Sequence, residues 1–388
     1  MKNTLYTVLA LLVAMAALQG CDRDGTLDSM NDNNDPENLL VASRTSTAPV
    51  IDGVADDAAW QGAATVNIGT VVADIPAFRG YGGRQYQVEM KAAYDDNYLY
   101  LTAHYADATL DANREPWYVD NGVWKQESRW PQFDEDGNET RMGFYEDKFS
   151  MMWEASEVEG FDTQGCGVAC HVGLNPFQSD GGKSALKYTR NFGEVMDMWH
   201  LKYVRSAGSQ VPKMDDQYTN FTSTANNGGR HSDPGTGHYA NNKQTIDGMS
   251  VPLYVRANPT DTYYWISPDD ISSGVVARVT GLTADGDLVL ENGGTISHTD
   301  PAYQRNGAYN PPSVYSRMPD GDRSDIDAVA RYGGGFWTVE IRRALTTGSM
   351  YDVQWDDMTK DYPFGVAVFD NAGIAHGASG DPVFLRFR

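Results

Sequence analysis

Residues 88–105 read VEMKAAYDDNYLYLTAHY, and this stretch indicates the fold of the chain. Apolar and polar side chains alternate along residues 88–94 and again along residues 98–105, which is the period of a β-strand that buries one face. The three residues between the runs are two aspartates and an asparagine, a composition typical of a short turn. The stretch therefore predicts a β-hairpin.

The same alternation recurs along much of the chain. Further strands are predicted at residues 147–153, 262–266, 275–279, 336–341 and 363–369. Only residues 328–332 and 342–346 look like short helical pieces. Many strands, abundant tyrosine and tryptophan, and no long amphipathic helix predict a mainly β protein, a β-sandwich.

Between about residues 155 and 250 the sequence changes character. Gly, Asn, Asp, Ser and Gln are dense there, and the periodicity is faint. A loop of that length inside a compact domain is usually functional or disordered. We therefore interpret residues 155–250 as a loop-rich insertion in the β-sandwich.

Near its start the insertion carries the sequence CGVACH, residues 166–171. In c-type cytochromes two cysteine thiols attach the haem, and the histidine that follows them binds the iron. The usual motif has two residues between the cysteines, whereas three separate Cys166 from Cys170. The alternative is a small disulfide formed in an oxidising compartment, with His171 merely next to it. We favour a covalent haem c, because a bound haem would supply the apolar core that the insertion lacks.

Residues 1–20 have the features of a secretory signal. Lys2 precedes an apolar run that is too short for a membrane-spanning helix. Its end, Leu-Gln-Gly before Cys21, resembles a bacterial lipoprotein signal peptide. Cys21 is therefore predicted to carry a lipid, and the alternative is an ordinary signal cut elsewhere that leaves Cys21 as a thiol. The lipid would place the protein in the cell envelope, facing the periplasm or on the outer membrane.

After the signal, residues 21–44 are predicted to be a flexible acidic tether, and residues 45–388 one folded domain. The chain has 53 acidic and 30 basic residues and a formal net charge of −23. This charge argues against nucleic acid as a partner and favours basic partners. It is equally consistent with a solvated acidic surface that confers solubility.

Other segments resemble known families. Residues 51–53 and 91–101 are similar to family 9 carbohydrate-binding modules and related DOMON-like sandwich domains. Residues 146–148, 197–202, 229–235 and 365–371, together with the haem motif, resemble the haem-binding domain of the cytochrome c-552/dimethylsulfoxide reductase-like family. That family includes the γ-subunit of ethylbenzene dehydrogenase. The resemblance extends from about residue 45 to residue 388.

The resemblance implies a β-sandwich that binds one haem. In the enzyme-associated γ-subunits this haem passes electrons to or from a molybdenum subunit. The present chain differs from them in its lipoprotein signal and in its covalent haem motif, since they bind haem b. Their Met and Lys axial pair is therefore not transferred. What carries over is one ligand from the loop side and one from near the carboxyl-terminal strands.

An electron-transfer haem normally has two protein ligands, so His171 needs a partner. His376 is preferred, because it follows the strand at residues 363–369, where the γ-subunits place their second ligand. Otherwise it is an exposed loop histidine. With two histidines on the iron we expect a comparatively low reduction potential and no open coordination position.

Four other residues are candidates for the second ligand: His200, Met198, Met152 and Met151. Methionines in a strand beside a tryptophan are more often core residues. His200 is also suited to donating a hydrogen bond to a haem propionate. The cations that could pair with propionates, or merely belong to the surface, are Lys202, Arg205 and Arg230.

These observations predict a lipid-anchored mono-haem c-type cytochrome that carries electrons at the bacterial cell envelope to an unidentified redox protein. Nucleotide-binding, zinc-protease and serine-hydrolase motifs are missing from the sequence, which favours an electron carrier over an enzyme. Two alternatives remain: a glycan-binding lipoprotein module without haem, and an electron-transfer subunit of a molybdenum oxidoreductase. Asp-rich loops are also compatible with calcium, although none has EF-hand spacing.

Overall fold

A computed structural model describes residue 36 and residues 38–170, 187–206, 211–222 and 230–388, with Cys170 described in its backbone alone. The predicted signal peptide, Cys21, His171 and the side chain of Cys170 lie outside the described residues. Residues Pro36–Arg388 form one compact unit. Within the described part, no helix is long and apolar enough to cross a membrane.

Strands dominate the structure. They are β1 (Leu39–Arg44), β2 (Thr65–Val72), β3 (Gln85–Tyr94), β4 (Tyr98–Ala106), β5 (Trp117–Asp120), β6 (Val123–Gln126), β7 (Gln132–Phe133), β8 (Glu139–Arg141), β9 (Lys148–Glu154), β10 (Val195–Lys202), β11 (Asp215–Asn220), β12 (His231–Ser232), β13 (Tyr239–Asn241), β14 (Gln244–Ile246), β15 (Met249–Val251), β16 (Tyr254–Arg256), β17 (Val276–Leu282), β18 (Leu288–Leu290), β19 (Thr295–Ile296), β20 (Val314–Ser316), β21 (Asp327–Gly333), β22 (Phe336–Ala344), β23 (Asp361–Phe369), β24 (Gly377–Ser379) and β25 (Val383–Phe387).

The described helices are short. They are α1 (Ala58–Gln61), α2 (Phe161–Gln164), α3 (Gly167–Cys170) and α4 (Pro268–Ser272), with 3-10 turns at Pro76–Phe78, Pro301–Tyr303 and Gly321–Ser324. The mainly β fold class predicted from the sequence is therefore confirmed.

The largest sheet has the order β12-β11-β10-β9-β23-β24-β2-β3-β4-β22-β21, and β1 and β25 also belong to it. Strand β1 runs parallel to both β25 and β3, and β25 pairs with β23, so these two strands give a second connection between the halves of the sheet. Apolar side chains from both halves, such as Val88 and Val339 from one and Phe149 and Val366 from the other, share one core. This is the arrangement of a β-sandwich.

The predicted hairpin is β3 and β4, which pair from Val88 with Tyr105 to Tyr94 with Leu99. Asp95 forms its turn, because its carboxylate accepts the backbone N–H groups of Asn97 and Tyr98 at 2.8 Å. Strands β9, β17, β22 and β23 also agree with the predicted segments within a few residues.

The two predicted helical pieces are wrong. Residues 328–332 lie in β21 and residues 342–344 end β22, and β21 pairs with β22 along all of its own length. The alanines that favour a helix locally, Ala328 and Ala330, are buried in the core, where sheet pairing outweighs propensity. The predicted strand at residues 262–266 is wrong as well, since only Ile266 forms a bridge there, to Tyr315.

Two boundaries also differ from prediction. Residues 39–44 form β1, in which Leu40 and Ala42 are completely buried, so the folded body begins before residue 45. The segment from 155 to 250 is not only loop, because β10, β11 and β12 extend the main sheet. Its periodicity is faint because β11 buries Asp215, Asp216 and Gln217 instead of apolar residues.

Candidate functional site

The candidate site lies on one face of three neighbouring strands. Met152 of β9 stands opposite Met198 of β10 on one side and Gly365 of β23 on the other. Two residues earlier in β9, Ser150 stands opposite His200. Because successive side chains of a strand point to opposite faces, these residues share a face.

The other face of the same strands belongs to the core. Trp153 packs against Trp199 with ring centroids 5.4 Å apart and against Phe364 at 4.4 Å. Met151 is fully buried in this cluster, which is the setting of a core residue, and its candidacy as an iron ligand stays a prediction.

A cavity of about 500 Å³ opens in front of the candidate face. This volume is within the range of small-molecule and cofactor sites. Nine residues singled out in the sequence line it: Met151, Met152, Cys166, Met198, His200, Lys202, Arg205, Arg230 and His376. They come from five separate stretches of the chain.

Cys166 lies against the floor of the cavity at Gly365. A Cβ atom at position 365 would overlap the Cys166 Sγ atom, so only glycine leaves room for the thiol there. The backbone of Cys170 ends α3, four residues further along. The thiol of Cys166 is thus held at the wall of the cavity, between β23 and α3.

His200 is 4 % exposed, and burial together with Lys202 lowers its pKa well below the ordinary value. The ring is therefore neutral. Its Nδ1 atom is 3.4 Å from a guanidinium nitrogen of Arg230, and because guanidinium only donates, Nδ1 accepts and the proton sits on Nε2. Among the described residues, nothing accepts a hydrogen bond from this buried Nε2. The ring is arranged to donate into the cavity.

His376 has the opposite arrangement. Its Nδ1 atom is 2.7 Å from the carbonyl oxygen of Ile374, so Nδ1 carries the proton and the lone pair of the neutral ring is on Nε2. This is the tautomer in which a histidine binds a metal through Nε2. The ring stacks on Phe369 at 4.8 Å, and His200 contacts the same Phe369 at 5.5 Å.

Two lysines of the site are almost completely buried. Burial, and next the Arg205 guanidinium, lower the pKa of Lys148 well below the ordinary value, and its amine donates to the carbonyl of Gly373 at 3.0 Å. Burial also lowers the pKa of Lys202, to about 8, against the opposing effect of its ion-pair partner Asp215.

The remaining cationic side chains of the site differ in whether a carboxylate pairs with them. Arg205 pairs with the buried Glu146, and Arg323 pairs with Asp215 at 2.8 Å. The structure describes no ion pair of Arg230, whose pKa is lowered chiefly by burial. Arg230 therefore leaves excess positive charge on the cavity wall, although the whole chain is strongly acidic.

Sequence reasoning missed several lining residues. The period-two spacing of Lys148, Ser150 and Met152 is the signal that could have identified Lys148. Tyr239 carried no such signal, because it comes from the separate pairing of β13 with β20. In the structure its hydroxyl accepts a hydrogen bond from Arg205 at 3.2 Å, and that guanidinium lowers the pKa of Tyr239 to about 8.

Of the described histidines, His104, His231, His238 and His298 are not among the residues that line the cavity. His231 stacks on Tyr218 at 4.7 Å, and His238 is buried with its Nδ1 atom 3.4 Å from Asp215. His104 stacks on Phe336.

Comparisons place the chain among known proteins. A family model described as ethylbenzene dehydrogenase matches residues 57–379. A family 9 carbohydrate-binding module from Caldicellulosiruptor kristjanssonii in complex with glucose is 12 % identical, with 90 % of this chain and 95 % of that chain covered and a TM-score of 0.32. A family 9 carbohydrate-binding module from the same organism in complex with cellotriose is also 12 % identical. The match covers 90 % of this chain and 93 % of that chain, with a TM-score of 0.31. No curated protein matches the chain significantly.

Proposed function

Because the chain belongs to the ethylbenzene dehydrogenase family, we propose that its cavity holds one haem and that the protein carries electrons at the bacterial cell envelope. In this proposal the haem is of c type, attached through Cys166 and Cys170. His171 is one axial ligand and His376 the other. The observation that carries the proposal is the position of the Cys166 thiol in the wall of a buried, basic cavity.

The polar groups of the cavity match the propionates of a haem. Carboxylates are bound most strongly by charged or buried donors. The Nε–H group of Arg230 and the Nε2–H group of His200 are such donors and are described without an acceptor. Met152 and Met198 supply an apolar surface for the macrocycle between these polar groups and Cys166.

A haem supplies one-electron oxidation and reduction when it is bound. His171 and His376 would both hold the iron, an arrangement that favours electron transfer over catalysis on a substrate. The buried methionines and Phe369 would exclude water from the haem. The lysine and arginine side chains of the cavity would neutralise its propionates. Cys21 would attach the carrier to the membrane through lipid.

The first experiment is extraction of the periplasmically expressed protein with acid acetone, followed by a pyridine haemochrome spectrum. Haem c that survives extraction, and is lost in the double variant Cys166→Ser, Cys170→Ser, is the expected result. Extractable haem would indicate a non-covalent b-type site. Protein that never contains haem would contradict the proposal and make glycan binding the next function to assay.

The ligand assignment has its own test. His376→Gln should change the optical and electron paramagnetic resonance signature of the low-spin iron, whereas His104→Gln, far from the cavity, should not. His200→Gln should leave the iron low spin and change the reduction potential instead. An unchanged spectrum for His376→Gln would remove His376 from the coordination sphere.

Family membership supports a second candidate, an electron-transfer subunit of a molybdenum oxidoreductase. In that case the cavity and its haem would be the same, and the partner would differ. Affinity purification from the native membrane, with molybdenum measured in the eluate, distinguishes the two. Stoichiometric molybdenum supports the subunit, and haem protein without molybdenum supports the independent carrier.

A further inference from the structure

A second polar group lies behind the cavity wall. Asp197 of β10, Asp216 of β11 and Asp352, in the loop between β22 and β23, are each no more than 1 % exposed. One oxygen of each carboxylate lies within 4.8 Å of the other two. His200 and Gln217 line the cavity. Asp197 is three residues before His200 in β10, and Asp216 is directly before Gln217 in β11, so both aspartates lie on the face opposite to the cavity.

One oxygen of each of these three carboxylates lacks a donor, although the other oxygen accepts a hydrogen bond. Among the described residues, no hydrogen bond reaches Oδ1 of Asp197, Oδ2 of Asp216 or Oδ1 of Asp352. Buried polar atoms are nearly always paired, and an unpaired one is costly. Three such oxygens in one place indicate that something else occupies the space between them.

Asp233 provides an independent observation. It follows β12, is 2 % exposed, and neither of its carboxylate oxygens has a hydrogen-bond donor. Its side chain is directed at Asp352, and the two carboxyl groups interact at hydrogen-bonding range. Two carboxylates only accept, so a proton or a cation has to lie between them.

The charges of the group do not balance. Arg343 lies 2.8 Å from Asp352 and 3.8 Å from Asp197, and it also faces Asp216 and Asp325. One guanidinium therefore serves four buried carboxylates, with Asp233 included, and the half-buried Asp325.

We propose that Asp197, Asp216 and Asp352, assisted by Asp233, bind one calcium ion. Carboxylate oxygens without nitrogen or sulfur ligands suit a hard cation, and Ca²⁺ tolerates six to eight oxygens in irregular geometry. The ion joins β10, β11, the segment after β12 and the loop after β22, which are far apart in sequence. Its role is to fix the cavity wall from behind, whether or not the cavity holds haem.

The experiment uses the full mature protein and calcium alone. After treatment with EGTA and exchange into calcium-free buffer, added Ca²⁺ should raise the melting temperature and bind at one ion per chain by calorimetry. Mg²⁺ at the same concentration should raise it less. Because Arg343 stacks near Trp199 and Trp355, Tb³⁺ at the site should luminesce on tryptophan excitation, and Ca²⁺ should displace it.

Asp216→Asn is the diagnostic variant, since it keeps the shape and removes one ligand charge. It should weaken Ca²⁺ binding by at least about tenfold. The control is Asp107→Asn, in a second acidic group whose Asp147 carboxylate already accepts two backbone N–H groups, and it should bind Ca²⁺ as the native protein does. Native protein that shows neither bound calcium nor a change in melting temperature would overturn the proposal and leave shared protons as the balancing charge.

Discussion

Gly365 decides whether the Cys166 thiol can reach the cavity wall. A side chain at this position would overlap the Cys166 Sγ atom. Gly365→Ala should therefore displace the thiol, lower the amount of covalently attached haem, and reduce the free energy of unfolding by about 1–3 kcal/mol through overpacking. Haem per protein by pyridine haemochrome, and urea unfolding, measure the two effects.

The matched control for this change is Gly380→Ala, because a Cβ atom at position 380 meets no heavy atom within 4 Å. The control should retain native haem content. Equal haem content in both variants would mean that Cys166 does not need its position against β23.

Glu154, at the end of β9, should make stability depend on pH. Burial raises its pKa to about 7, and the neighbouring Asp162 and Glu157 contribute in the same direction. A raised folded-state pKa of an acid gives stability that is complete below pH 4 and is lost as the pH rises through 7. From pH 5 to pH 8 the native protein should lose about 1–2 kcal/mol relative to Glu154→Gln, a figure reduced for solvent screening.

Glu154→Gln keeps the oxygen that accepts the backbone N–H of Val158. Calorimetric melting at several pH values gives the comparison, and Glu135→Gln, at an exposed position whose charge does not act on Glu154, serves as the control. Parallel curves for the native protein and Glu154→Gln would show that Glu154 ionises normally.

Among the elements, β1 helps to join the two halves of the main sheet. It lies between β25 and β3 and buries Leu40 and Ala42 completely. A chain that begins at Thr45 should be at least about 3 kcal/mol less stable than one that begins at Pro36, since the loss of one buried leucine side chain alone costs 2–5 kcal/mol. Urea unfolding measures the difference, and equal midpoints would show that residues 39–44 act only as a tether.

Sequence reasoning succeeds for elements whose apolar pattern and burial agree. The β3–β4 hairpin and β23 are rich in apolar residues that the structure buries, and they were predictable. Strand β21 was not, because its small residues favour a helix locally and only pairing with β22 makes it a strand. Strand β11 was hidden for the opposite reason, since its buried positions are acidic and amide residues.

In the candidate site, too, the local sequence pattern predicts some features, and the packing of distant segments decides the others. Met198, His200 and Lys202 are predictable as one face of a strand once β10 is recognised. The difference between His200 and His376 is not, because it depends on which ring nitrogen faces Arg230 and which faces the carbonyl of Ile374. Such hydrogen bonds arise only when distant segments are packed together.

At the scale of the whole molecule, the chain carries a large negative net charge, whereas the lining of the cavity is rich in positive side chains. The net charge is −23, whereas the cavity is lined by lysine and arginine side chains, several of them buried. Buried charges act over short range on the group that they contact, and exposed charges steer molecules that approach from solution. An anionic cofactor and a cationic redox partner are therefore both favoured by the same protein.

This separation predicts how the rate of electron transfer changes with salt. Oxidation of the reduced haem protein by a small cationic reagent should be fast at about 0.01 M ionic strength and several-fold slower at about 0.3 M, because the Debye length falls from about 30 Å to below 8 Å. With an anionic reagent of similar potential the rate should rise over the same range, and a neutral reagent controls for changes in the protein itself. Stopped-flow kinetics give the three rates. If the anionic reagent were faster at low salt, the basic residues at the cavity would control the approach to the haem, and a basic partner would no longer be expected.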